Sequence, residues 1–153
     1  ALAVPRLGPD YASLAAPAKA EAGRFAAGGA ALREALTATG ATDGPVATFM
    51  PLYPLEGGLP VYPEFATGSF AFRIAEFTPP DLARVFVSVG PDGVDSLFEK
   101  DPPAAFLLGY EPWLEVAFER YARRMGYQEV PIEGLDNRYG EGKLLVRRMT
   151  GSN

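Results

Sequence analysis

The residues best suited to chemistry are an aromatic pair and a carboxylate among phenylalanines. Trp113, the only tryptophan, and Tyr110 stand in the stretch GYEPW, where a predicted strand turns into a predicted helix. An indole face stacks on planar or cationic molecules, a contact worth about 0.5–2 kcal/mol. Glu76 follows Phe70 and Phe72 at even spacing, which puts a carboxylate on the aromatic face of a strand. The predicted lining of an apolar pocket with one acidic anchor is therefore Trp113, Tyr110, Glu76, Phe72, Phe70 and Tyr53.

These residues also have a purely structural interpretation. Trp113 and Tyr110 are equally suited to packing in a core, and Glu76 to the exposed end of a strand. A carboxylate buried without a partner costs several kcal/mol, so a buried Glu76 is expected to be paired or functional. The two interpretations differ in whether the aromatic corner borders an open cavity.

Composition excludes several kinds of catalysis. The chain has no histidine and no cysteine, which rules out Ser-His-Asp and Cys-His nucleophiles, thiolate redox chemistry and ordinary zinc sites. Any acid–base chemistry would fall to Asp, Glu, Tyr, Lys or Arg. We therefore predict no catalytic residue, no metal site and no cofactor, and a protein that binds rather than transforms its ligand.

The charge balance bears on partners. A net charge of −5 argues against nucleic acid, because neutralising phosphates requires a surplus of basic side chains. The final 34 residues have the opposite balance, with seven basic and four acidic side chains. This segment forms either a basic docking face or a solvated face paired with nearby acids, and its candidate residues are Arg120, Arg123, Arg124, Lys143, Arg147 and Arg148.

Length and hydropathy predict one domain over residues 1–153. No apolar run approaches the roughly 20 residues of a membrane span, so no membrane partner is expected. The N-terminus is too short and too broken by proline to resemble a signal peptide. The lack of cysteine favours a reducing compartment. We expect a cytoplasmic protein that is a monomer or a small homo-oligomer.

The elements that must position the candidate residues follow from periodicity and from Gly and Pro. A helix is predicted over residues 17–39, bent where its glycines fall and ended by Gly40. Extended segments are predicted over 45–53, 65–77 and 82–89, with a short helix near 90–101.

The last elements follow the same rules. A strand over 104–110 leads through Gly109 to a helix that starts at Pro112, with Trp113 on its apolar side and Glu115 on its polar side, and stops at Gly126. A closing strand is predicted over 142–149. The fold class is α+β: a mostly antiparallel sheet with helices on one face. The stretches RLGPDYASL and FLLGYEPWL, each ahead of a helix, suggest two related βαββ-type halves.

Three stretches carry a family resemblance: GYEPW before the last helix, TATGATDGPVATFMPLY after the first, and PIEGLDN before the closing strand. In them the chain resembles the GyrI-like family of small-molecule (effector) binding domains. That resemblance implies two βαββ halves and, between them, a cleft lined with aromatics and holding an acid that prefers aromatic or cationic guests.

Two other functions stay open. FERYARRMGYQEV followed by GKLLVRRM resembles the end of GCN5-type N-acetyltransferases, which use acetyl-CoA. Their phosphate-cradling turn would fall in VSVGPDGVDSLFEK, where Pro91 lacks an amide and Asp92 and Asp95 would repel phosphate. A protein–protein adaptor using the basic C-terminal segment is the other alternative. The leading hypothesis is a non-catalytic binder of aromatic or cationic small molecules.

Overall fold

The computed structural model describes the backbone of residues 10–147 and the side chains of residues 21–147. Its six α-helices in this range are α1 Asp10–Thr39, α2 Leu52–Glu56, α3 Phe70–Ile74, α4 Pro80–Val85, α5 Val94–Lys100 and α6 Val116–Arg124. Its four strands are β1 Val46–Ala47, β2 Ala105–Leu108, β3 Tyr127–Val130 and β4 Lys143–Arg147. Short 3-10 turns cover Pro63–Phe65, Ala75–Phe77 and Pro91–Gly93. The beginning of the stretch RLGPDYASL and the candidate basic residue Arg148 lie outside the described residues.

The four strands form one sheet in the order β1-β2-β4-β3. Strand β4 pairs antiparallel with both β2 and β3, whereas β1 runs parallel to β2, with Val46 opposite Ala105. The α+β class is confirmed, but the prediction of a mostly antiparallel sheet is wrong, because the sheet is mixed. The parallel pair arises because the chain between β1 and β2 crosses over through helices rather than returning in a hairpin.

Helices pack on both faces of the sheet, not on one as predicted. Phe106 and Leu108 of β2 belong to a core cluster with side chains of α5 and α6. Ala105 and Leu107, which alternate with them, belong to a second cluster with side chains of α1 and α2. Successive residues of a strand point to opposite faces, so β2 is the layer between the two clusters and is buried on both sides.

Helix α1 ends at Gly40 as predicted, but the bend predicted at its glycines is wrong. Gly40 ends it with a φ of +72°, and the N–H of Ala41 donates to the carbonyl of Leu36 at 3.0 Å. The helix is nevertheless continuous. A Cβ on Gly28 would collide with the Tyr53 ring, and one on Gly29 with the backbone of α2. These glycines therefore permit close packing of α1 on α2 rather than a break.

The strands predicted over 65–77 and 82–89 are wrong, because the first segment forms turns, α3 and a 3-10 turn, and the second is the end of α4 followed by irregular chain. The apolar alternation is also compatible with short helices: Phe72 is buried in the core, while Phe70, Ile74 and Phe77 point outward at helical spacing. Prolines and Gly68 limit each piece to about two turns. With no strand beside them, these segments satisfy their backbone groups locally as helices.

The structure does not confirm two related βαββ halves. Within the described residues, the chain before β2 contains one strand of two residues and five helices. The predicted short helix, the strand before the corner and the closing strand are confirmed as α5, β2 and β4. None of the helices between residues 10 and 147 is long and apolar enough to cross a bilayer.

We predict that Gly109→Ala destabilises the protein by about 3 kcal/mol or more. Gly109 has a φ of +108°, and a Cβ there would collide with the carbonyl oxygen of Glu141. Gly126→Ala is the matched control, because Gly126 has a φ of +76° but open space around it, so the cost is about 1 kcal/mol. Urea unfolding of both variants measures the difference, and equal losses would show that the contact with Glu141 is unimportant.

Candidate functional site

The corner between β2 and α6 is organised by a buried carboxylate. The side chain of Glu115, whose residue is 1% exposed, turns back toward the end of β2. Its Oε2 accepts the backbone N–H of Gly109 at 2.7 Å, and its Oε1 accepts those of Tyr110 and Glu111, each at 3.2 Å. One side chain thus satisfies three consecutive amides that neither strand nor helix pairs. Helix α6 consequently begins at Val116, after a turn, rather than at Pro112.

Burial raises the pKa of Glu115 above the ordinary value of glutamate, although the three amide hydrogen bonds act in the opposite direction. Sequence reasoning missed this residue by placing it on the polar side of the helix. When 100° per residue is continued from α6 into the turn before it, the buried arc is centred between the positions of Leu114 and Phe118. Glu115 then lies at the buried edge of this arc, next to Ala122, whereas Trp113 lies outside it.

The next carboxylate, Glu111, joins this corner to helix α3. It accepts the Ser69 hydroxyl at 3.0 Å and one guanidinium nitrogen of Arg73 at 2.7 and 2.8 Å. The Glu111 side chain is 23% exposed, so the ion pair lies at the border of the solvent rather than in the core. The two glutamates therefore have different roles: Glu115 holds the backbone of the corner, and Glu111 projects from it.

A cleft of about 410 Å³ opens between Glu111 and the chain that follows β1. Residues 49–52 give it an apolar lining, and residues 66–69 line it with short side chains. Its polar side chains are Thr67, Ser69, Tyr110, Glu111 and Tyr139. The volume lies in the usual range of small-molecule sites, and an apolar lining with few polar groups is their common character.

Two of the predicted site residues lie at or under this cleft. Tyr110 lines it, but its hydroxyl donates to the carbonyl of Leu135 at 2.7 Å, and burial raises the pKa of that hydroxyl. Tyr53 lies behind Tyr110 with ring centroids 6.0 Å apart and is fully buried. Its hydroxyl donates to the carbonyl of Asp136 and accepts from Asn137. Both tyrosine hydroxyls are therefore hydrogen-bonded to other groups of the protein.

The other four predicted residues are not brought together. Phe72 packs in the core against Phe49 and Phe118. Phe70 and Glu76 are exposed on the helical segment that replaced the predicted strand. Trp113 is 70% exposed and does not line the cleft. The expectation of one aromatic face ending in a carboxylate fails because helical rotation separates Phe72 from Phe70.

The basic residues of α6 lie beside acids of α5. Arg124 donates to Asp95 at 2.8 Å, and a nitrogen of Arg120 lies 4.0 Å from the same carboxylate. The hydrogen bond from Arg124 lowers the pKa of Asp95. Among residues 21–147, no group of three acidic side chains is arranged to hold a metal ion.

Comparison with known proteins finds no match: no family model fits the chain, and no curated protein or solved structure is significantly similar to it.

We predict that Glu115→Ala lowers the free energy of unfolding at neutral pH by about 3–5 kcal/mol, because three buried amides lose their acceptor. Glu115→Gln keeps an acceptor oxygen and is expected to lose about 1–3 kcal/mol. Chemical denaturation measures both. An alanine variant as stable as the glutamine variant would mean that water replaces the carboxylate at no cost.

The pH dependence of the same residue is a separate prediction. Because the pKa of Glu115 is higher in the folded than in the unfolded chain, the folded protein takes up this proton at a higher pH. The resulting stability is fully present below the ordinary glutamate pKa and is lost as pH rises through the raised pKa. The stability of the wild type relative to Glu115→Gln should therefore fall over that window, and a flat difference would contradict the shift.

Proposed function

We propose that the protein binds a small, planar, partly aromatic molecule in the cleft beside Glu111 and does not transform it. The observation that carries this proposal is that the apolar residues 49–52 and the carboxylate of Glu111 line one cleft with a volume of about 410 Å³. A planar guest would lie against the apolar residues and direct a donor group or a positive charge toward Glu111.

The polar groups at the cleft favour recognition over catalysis. The Glu111 carboxylate is held by Arg73 and Ser69, so it is oriented as a hydrogen-bond acceptor. The hydroxyl of Tyr110 is bound to a backbone carbonyl, and Glu115 lies behind the backbone of the corner. A general base needs a basic atom within reach of its substrate's proton, and these groups are engaged with the protein itself.

The GyrI-like resemblance supports the same class of guest. It rests on short sequence stretches, two of which contribute to this cleft: residues 49–52 belong to the stretch that ends in TFMPLY, and Tyr110 and Glu111 to GYEPW. Aromatic and cationic molecules are the guests that the resemblance implies, and an apolar lining with a carboxylate suits both.

We predict that planar aromatic cations raise the melting temperature and that Ala66→Phe abolishes the effect. At about 100 times Kd a ligand adds roughly 2.7 kcal/mol, or about 5–10 °C in a domain of this size. Ala66 is exposed and lines the cleft, so a phenyl ring there fills the space without disturbing the core. Ala27→Phe, on the exposed side of α1, is the matched control.

The panel should include neutral analogues, planar anions and coenzyme A. Stabilisation that survives Ala66→Phe would place the bound molecule elsewhere, and a panel with no stabilising member would contradict the proposal. Stabilisation by coenzyme A alone would favour acyl transfer, and salt-sensitive retention of an acidic protein without any ligand response would favour an adaptor.

The charge of Glu111 should set the preference among ligands that bind. Glu111→Gln keeps the acceptor but removes the charge, so affinity for a cation should fall by about tenfold relative to its neutral isostere. Calorimetry with the matched pair of ligands measures that ratio. Glu56→Gln, at an exposed position at the end of α2, is the control and should leave the ratio unchanged. An unchanged ratio in Glu111→Gln would remove Glu111 from the recognition of charge.

A further inference from the structure

Helices α3 and α4, together with the turns that join them, are called the hairpin here, and Phe72 is their one fully buried side chain. Phe72 anchors the hairpin in the aromatic cluster. The chain after α4 returns to α3, where the Ser88 hydroxyl donates to the carbonyl of Ala71 at 3.2 Å and Gly90 packs against Ala75. The chain after α4 is thus tied to α3, and most of the other side chains between residues 70 and 87 are exposed.

Six of the exposed side chains of the hairpin are large and apolar. Phe70, Ile74 and Phe77 recur at helical spacing on α3 and the turn after it, as do Leu82, Val85 and Phe86 on α4; these six side chains are named the hairpin surface. Its three phenylalanines are 69%, 78% and 68% exposed in chain order. The solvent-facing positions of a helix normally carry polar residues, so these exposed apolar side chains indicate an interaction surface.

The area of the hairpin surface matches that of a protein interface. One aromatic side chain can bury roughly 150–250 Å². At their exposed fractions, the three phenylalanines together expose roughly 400 Å². The aliphatic members raise the total to roughly 700 Å², above the usual largest patch of a monomer and close to the roughly 800 Å² per partner of a stable complex.

Backbone strain at the edge of the surface supports the same interpretation. Val87 ends α4 with a φ of +51°, while the N–H of Ser88 donates to the carbonyl of Ala83 at 2.8 Å. This closure normally uses glycine, and a β-branched residue in this conformation is a genuine outlier. Valine places one more half-exposed apolar side chain beside the hairpin surface, where glycine would place none.

The charge of this segment favours a second copy of the chain over a lipid surface. Residues 70–87 carry Arg73 and Arg84 against Glu76 and Asp81, a formal charge of zero in a chain whose net charge is −5. Two copies of this surface meet without net repulsion, whereas helices that lie on lipid carry a surplus of Lys and Arg. We propose that the hairpin surface is the two-fold interface of a homodimer.

Analytical ultracentrifugation from roughly 1 to 100 μM tests this. The wild type should sediment as a dimer, and Phe77→Glu or Phe86→Glu should raise the dissociation constant about 30-fold or more, because a charge replaces a buried ring. Leu55→Glu is the matched control, since Leu55 is 50% exposed on α2, away from the hairpin. Far-UV circular dichroism and thermal melting verify that all three variants fold.

The outcomes are distinct. Loss of the dimer in both phenylalanine variants but not in Leu55→Glu supports the proposal. A monomeric wild type at 100 μM overturns it. A dimer that resists both substitutions, or that Leu55→Glu also dissociates, removes the hairpin surface from the interface. A monomer that cosediments with phosphatidylcholine vesicles also overturns it, and assigns the surface to lipid instead.

Discussion

The structure depends on one buried carboxylate that binds three backbone amides. Strand β2 is the central layer between both core clusters, and the chain must leave it abruptly to place α6 on one face of the sheet. The amides of residues 109–111 have no partner in strand or helix, and Glu115 supplies it from the turn ahead of α6. Burying the carboxylate has a cost, which is visible in the raised pKa of Glu115, and the three amide hydrogen bonds offset part of that cost.

The corner in turn fixes what surrounds the cleft. Because the backbone at Glu111 is held from inside, its side chain has a defined direction and meets Arg73 and Ser69. This contact links α3 to β2, although the two are far apart in the chain. Residues 49–52 and Glu111 line the same cleft, so a ligand of the proposed kind would meet groups that the fold already holds in place.

Sequence reasoning succeeded where local rules decide the structure. Gly40 and Gly126 end helices with positive φ, and β2 and β4 are recognisable from their continuous apolar runs. It failed over residues 65–89, where alternation fits both a strand and two short helices, and where the absence of a neighbouring strand decides between them. Tyr110 lines the cleft, and its part in binding stays a prediction. Trp113 was misplaced and Glu115 missed by a small error in the centre of one helical arc.

Amide hydrogen exchange at residues 109–111, followed by NMR in the wild type, tests the role of Glu115 most directly. If its carboxylate binds these amides, all three should exchange as slowly as the amides of β2, although they lie in a loop near the surface. Exchange of Gly109, Tyr110 and Glu111 at the rate of an open loop, with β2 still protected, would contradict the account.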